Sequence, residues 1–285
     1  MTAHPGGVSV VVITRNRRDG VLEVLPHLQS LPGSPPVIVV DNASSDGTAE
    51  AVRAAHTDVT VLALDENLGA AARTVGVRAA TTPYVAFCDD DSWWAPGSLE
   101  HAASLLSAHP EVGVLAARVL VGSDQRLDPV CRAMAESPLP EVPGVGPTVL
   151  GFVACGAVVR REAYLSVGGF HEHFGVGGEE SLLAVDLAGR GWSCAYVDDL
   201  VAHHHPSPVR DVTARRAREV RNELWTLWLR RRLGTVVRRT GRVLTRLRHP
   251  EVRAGIRQAA AGLPWVLRER TAVPLALEEQ LRLLG

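Results

Sequence analysis

Short apolar runs alternate with amphipathic stretches along the first third of the chain. Val8–Ile13 is almost continuously β-branched, the pattern of a strand buried on both faces of a parallel sheet. Gly20–Leu31 predicts an amphipathic helix that Pro32, Pro35 and Pro36 bring to an end. Val37–Val40 reads as a second buried strand closing on Asp41, and Ser44–Thr48 supplies turn and N-cap chemistry for a helix reaching Ala55. A strand over Thr60–Leu64, a helix over Gly69–Ala80 and a strand over Tyr84–Cys88 complete the alternation. This order predicts an α/β fold with a doubly wound sheet and right-handed crossovers. Ligands in such sheets bind beyond the carboxyl ends of the strands. The residues standing there are Thr14-Arg15-Asn16-Arg17, Asp41-Asn42 and Asp89-Asp90-Asp91.

Downstream, a helix from Pro96 to Ala108 and a strand over Val112–Val121 precede Gly122–Pro147, whose Pro and Gly content and weak periodicity predict a long loop. Val149–Arg160 reads as a strand and its approach, followed by helices over Glu162–Val167 and Glu179–Gly189 and a strand over Ser193–Val197. From Val212 the spacing of Val220, Leu224, Leu227 and Trp228 is helical, and Pro250, Pro264 and Pro274 divide the remainder into short helices. The expected organisation is a body over 1–207 and a helical extension over 208–285.

With 46% apolar and 21% charged residues, the 285-residue composition is that of a globular protein. The chain lacks the ~18–20 residue apolar run of a spanning helix. Its first residues carry no charged segment leading into an apolar one, which argues against export. Four scattered cysteines without a CxxC pair suit buried, reduced thiols and a cytoplasmic location.

The net charge of −1 hides a division: residues 1–205 hold 12 Arg against 24 acids, and residues 206–285 hold 18 Arg against 7 acids. Such a tail either meets an anionic partner, a membrane surface or phosphorylated substrate, or packs on its own acidic body. Trp225, Trp228, Arg230, Arg231 and Arg232 are the candidates for peripheral contact with the inner face of a membrane. A helical cap that forms a homodimer is the alternative, and no nucleic-acid partner is expected.

Three clusters carry candidate chemistry. Asp89-Asp90-Asp91 at a strand's carboxyl end offers hard oxygen ligands for Mg²⁺ or Mn²⁺, or else forms a solvated acidic turn. Gly177-Gly178-Glu179-Glu180 opens a helix, where a carboxylate is favoured and could serve as general base or only stabilise the helix. His203-His204-His205 offers imidazoles, of which an extended chain can bring one or two to a site. Trp93 and Trp94 read either as a floor for a sugar ring or as core packing. The first strand lacks GxGxxG, and GxSxG is missing. Without lysine, GxxxxGK[ST] is impossible.

Taken in order, VVVITRNR, VVDNASSDGT, ENLGAAARTVGVRAA, YVAFCDDDSWW, GGFHEHFGVGGEESLLAVDLAGRGW and VAHHHPS resemble the family 2 glycosyltransferases of the GT-A fold over residues 8–207. The resemblance implies an inverting transfer of a sugar from a UDP- or dTDP-linked donor to a hydroxyl acceptor: a saccharide, glycolipid or small metabolite. By the same resemblance, Thr14, Arg15 and Asp41 hold the base and ribose, and Arg73 lies near the nucleotide or diphosphate. Asp89 and Asp91 are the acids of the DxD motif around Asp90, with Asp91 and His203 on the metal. Glu180 is the catalytic base where the family more often has Asp, so Glu179 stays a candidate. A catalytically silent sugar-nucleotide-binding or scaffold protein, and a nucleotidyltransferase, are the alternatives.

Overall fold

A computed structural model describes residues 7–206 and 212–285. β1 (Val8–Thr14), α1 (Arg18–Gln29), β2 (Val37–Asp41), α2 (Thr48–Ala55), β3 (Thr60–Ala63), α3 (Ala72–Ala79) and β4 (Tyr84–Asp89) alternate as the apolar pattern predicts. β1 pairs in parallel with β2 and with β4, and β2 with β3. Every residue of β1 and β2 is buried, which is why neither strand shows an apolar–polar alternation. α3 lies so close to this sheet that a Cβ on Gly76 would come within 2.5 Å of Val11 Cγ1.

The second half adds β5 (Ser92–Trp94), α4 (Ser98–Ala108), β6 (Val112–Val121), β7 (Arg126–Leu127), α5 (Pro129–Ala135), β8 (Glu141–Val142), β9 (Gly146–Pro147), β10 (Ala157–Arg160), α6 (Arg161–Ser166), α7 (Glu179–Gly189) and β11 (Ser193–His204). The main sheet runs β3-β2-β1-β4-β10-β6-β11-β5, with β7 paired to β6. It is mixed, because β10 is antiparallel to both β4 and β6.

Two segments differ from the sequence expectation. Gly122–Pro147 is not one loop but holds β7, α5 and the β8–β9 hairpin. Asp128 caps α5, accepting from the Val130 amide at 2.8 Å with Pro129 in the first turn, a local start signal in an otherwise unpatterned stretch. β11 continues seven residues past Val197, because a register shift between Val197 and Val201 lets it pass Asp198-Asp199 and resume pairing with β6.

The tail forms α8 (Val212–Arg230), α9 (Leu233–Leu244), α10 (Pro250–Ala261), α11 (Leu263–Glu269) and α12 (Leu275–Leu283). The boundary expected at 207/208 lies outside the described residues. Leu224, Trp225 and Leu227 of α8 share an apolar cluster with Phe174 and Leu182, and Leu277 and Leu281 of α12 share one with Leu150 and Val185. Of the five residues expected to face a bilayer, four are engaged inside the protein. Trp225 is buried and donates to Ala259 O at 3.0 Å, Trp228 donates to Thr240 at 3.0 Å, Arg230 forks onto Asp186, and Arg231 pairs with Glu278 at 2.9 Å.

The last pair is fully buried, with Thr235 also donating to Glu278 at 2.6 Å. Burial pushes the Glu278 carboxyl up, but Arg231 and Thr235 outweigh it and hold the group below its ordinary value. Removing one partner strands the other charge, so Glu278→Ala is expected to cost about 3 kcal/mol in urea-unfolding stability. A loss under about 1 kcal/mol would show that the pair does not hold α12 to the rest of the tail.

Candidate active site

Two clefts open beside the carboxyl ends of β1 and β4. The first, about 500 Å³, is lined by Thr14, Arg15, Asn42, Asn67 and Asp89 to Asp91 on the body side, and by Arg218 and Arg221 of α8. The second, about 590 Å³, is lined by Arg73, Asp89, Ala154, Glu179, Glu180 and His204, with Arg215 and Arg218 of α8. Asp89, Val176 and Arg218 belong to both walls, so the clefts adjoin there.

The three aspartates have separate surroundings. Asp89 pairs with Arg73 of α3. Asp90 accepts from Thr14 Oγ1 at 2.9 Å and lies 3.5 Å from Arg17; burial pushes its carboxyl up to about 7 against the Thr14 hydrogen bond. Asp91 lies 3.4 Å from His204 Nε2 and 3.8 Å from Arg17. Arg73 is 2% exposed, its guanidinium set between the rings of Phe87 and Phe170, whose centroids are 5.8 and 5.7 Å away. Burial pulls the Arg73 pKa down, yet Asp89, Glu179 and Glu180 together outweigh it and the net shift is upward.

Opposite them, Gly177 and Gly178 turn the chain into α7 at φ of +114° and +85°, a region glycine enters without steric cost. The Gly177 amide donates back to Glu179, which is buried. Glu180 is half-buried, and the Ala154 amide points to its Oε1 at 3.4 Å. Burial and then the Glu180 charge push the Glu179 carboxyl up to about 8, and burial also raises Glu180, with Arg73 opposing in both.

Several expected site residues lie elsewhere. Asp41 is buried and accepts from Ser44 in its own turn, while the neighbouring Asn42 lines the cleft and bridges to Leu68 N and Gly69 O. His203 points away from Asp91, stacked on Trp93 at 5.6 Å, because successive residues of β11 face opposite sides of the sheet and the register sends His204 to the cleft. Trp94 is core, 1% exposed, with its indole donating to Phe87 O, and Trp93 stacks on His27 at 4.5 Å; neither lines the clefts. Arg218 and Arg221 carry no motif that marks them in sequence, since only the tertiary fold brings α8 against the strand ends, whereas Arg17 and His204 lie within stretches that the sequence singles out.

A central mixed sheet flanked by helices, with acids at the end of β4, is the GT-A glycosyltransferase architecture. The chain belongs to glycosyl transferase family 2, whose model matches residues 9–168. A pre-mycofactocin glycosyltransferase of Mycobacterium tuberculosis (strain ATCC 25618 / H37Rv) is 36% identical over 225 residues, covering 74% of this chain and 45% of that protein. The chain therefore spans less than half the length of that relative. Among solved structures, the mannosyltransferase PcManGT from Pyrobaculum calidifontis in complex with GDP-Man and Mn²⁺ superposes with a TM-score of 0.60 at 24% identity, over 96% of this chain and 78% of that one. S. aureus TarS 1-349 in complex with UDP-GlcNAc gives 0.60 at 18%, over 78% and 66%. These likenesses are of fold.

The raised Glu179 carboxyl fixes the sign of a pH effect. Between its ordinary value near 4.5 and about 8 the unfolded chain ionises this group while the folded protein keeps it protonated. Folding therefore loses stability as pH rises through that window. Relative to Glu179→Gln, the native protein is expected to lose on the order of 1 kcal/mol or more between pH 5 and 8 in parallel urea titrations. Parallel curves for the two proteins would contradict the assignment.

Proposed function

We propose that this protein transfers a glycosyl group from a nucleoside diphosphate sugar to a hydroxyl acceptor with inversion at the anomeric carbon. The observation that carries the reading is the meeting of the two clefts at Asp89, with the strand-end aspartates on one side and Glu180 on the other. Donors named with related structures, GDP-Man and UDP-GlcNAc, support a nucleoside diphosphate sugar as the first substrate.

In this reading Thr14, Arg15 and Asn42 line the nucleotide's cleft, and Asp41 shapes the turn beside it through Ser44. Arg218 meets the diphosphate. Its Nε is buried without a hydrogen-bond partner among the described residues, and it stands where both clefts join. Arg73 holds Asp89 and opposes the upward shift that burial gives Glu180. Glu180 accepts the proton of the acceptor hydroxyl as that oxygen bonds to the anomeric carbon. The bond from that carbon to the diphosphate oxygen breaks, and the leaving nucleoside diphosphate keeps the electron pair. Burial suits Glu180 to this task, because a base raised from the usual carboxylate range is stronger near neutral pH. Glu179 is the positioning residue that fastens the Gly177 turn.

A divalent cation fits beside Asp91 and His204. Their carboxylate and imidazole lie 3.4 Å apart, and His204 Nε2 makes no hydrogen bond among the described residues. Asp91 and His204 would be the protein's ligands to such a cation, and the donor's phosphate oxygens would supply others. Bound there, Mn²⁺ or Mg²⁺ supplies Lewis-acid stabilisation of the departing diphosphate.

Calorimetry with UDP, dTDP and GDP, with and without Mn²⁺, tests the donor site. One nucleotide should bind in a metal-dependent way that is lost in Asp91→Ala and His204→Ala and kept in His203→Ala. Glu180→Gln should retain donor binding and lose about 10³-fold in kcat. Absence of nucleotide binding under every metal condition would overturn the reading.

A further inference from the structure

From Leu224 to Pro250 the chain contains eight arginines and no acidic residue. Arg230, Arg231 and Arg239 pair with Asp186, Glu278 and Glu223. Arg238, Arg242, Arg246 and Arg248 are exposed and form no ion pair among the described residues. Apolar side chains stand beside them in water. Leu233 is 70% exposed and Val237 73%, and Leu244 and Leu247 are also exposed. Leu233, Val237 and Leu244 fall at i, i+4 and i+11, one face of α9, while Thr235 and Val243 face inward and are buried. No helix among the described residues is long and apolar enough to cross a membrane.

We propose that the outer face of α9 and the turn after it form a peripheral docking surface for an anionic lipid bilayer. Apolar side chains enter the headgroup–acyl boundary, and the flanking arginines meet lipid phosphates. A polyanion such as nucleic acid would use the arginines but gain little from an exposed leucine–valine stripe. The apolar side chains therefore single out a bilayer, and the acid-free arginines specify its charge. This surface differs from the one expected around Trp225 and Trp228, and it is independent of the donor-site reading.

Co-sedimentation of the full chain with phosphatidylcholine vesicles, with and without 30% phosphatidylglycerol, tests it at 0.1 M and 1 M NaCl. The protein should pellet with the anionic vesicles at 0.1 M salt, weaken at 1 M, and stay in solution with phosphatidylcholine alone. Each charge contact removed should cost about fivefold in partitioning, so R238Q/R242Q/R246Q should lose about a hundredfold. L233S/V237S should lose about tenfold, with thermal unfolding and nucleotide binding unchanged in both variants because all five side chains are exposed. Equal binding to neutral vesicles, or no binding to anionic ones, overturns the proposal. Unchanged binding by L233S/V237S also overturns it, since the face would then be a polyanion contact without insertion.

Discussion

A single buried cation organises the centre of this protein. The Arg73 guanidinium is withdrawn from water between Phe87 and Phe170, an unfavourable place for a charge unless anions surround it. Asp89 supplies the direct partner, and Glu179 and Glu180 add to its pull on the guanidinium when they are ionised. One interaction thereby ties α3, the end of β4 and the start of α7 into a common electrostatic unit. It also keeps the two adjacent glutamates tolerable, because their raised pKa values would move higher still without the opposing cation.

The helical tail completes that centre. Asn222 of α8 is buried and donates to Phe174 O at 3.0 Å and Gly177 O at 2.7 Å, and Arg221 also donates to Phe174 O. These bonds hold the loop that delivers the glutamates, while Arg215, Arg218 and Arg221 project onto the clefts. The contrast between an acidic body and a basic tail thus has a local meaning. Part of the tail's charge lines the clefts, part is neutralised in internal pairs such as Arg230–Asp186, and an acid-free part lies exposed along α9 and the turn after it.

The chain by itself determined the first half of the fold, because buried parallel strands write themselves as unbroken β-branched runs and their ends fall where polar residues resume. That logic brought Thr14, Asp89, Asp90 and Asp91 forward, and the paired glycines opening a helix brought Glu179 and Glu180 forward; all six line the two clefts. It failed where position depends on a partner strand or helix. His203 and His204 have the same composition and differ only in the face that register assigns them, and a register shift three residues upstream sets that face. Trp94 and Trp225 look alike to any surface or core rule until the packing around them exists. The cations of α8 reach the clefts only because Phe174 and Leu182 share a core with Leu224 and Trp225, an apolar contact between distant segments that no local pattern encodes. Local periodicity follows from the backbone's own geometry, whereas these placements follow from side chains meeting across the fold, which tertiary structure alone decides.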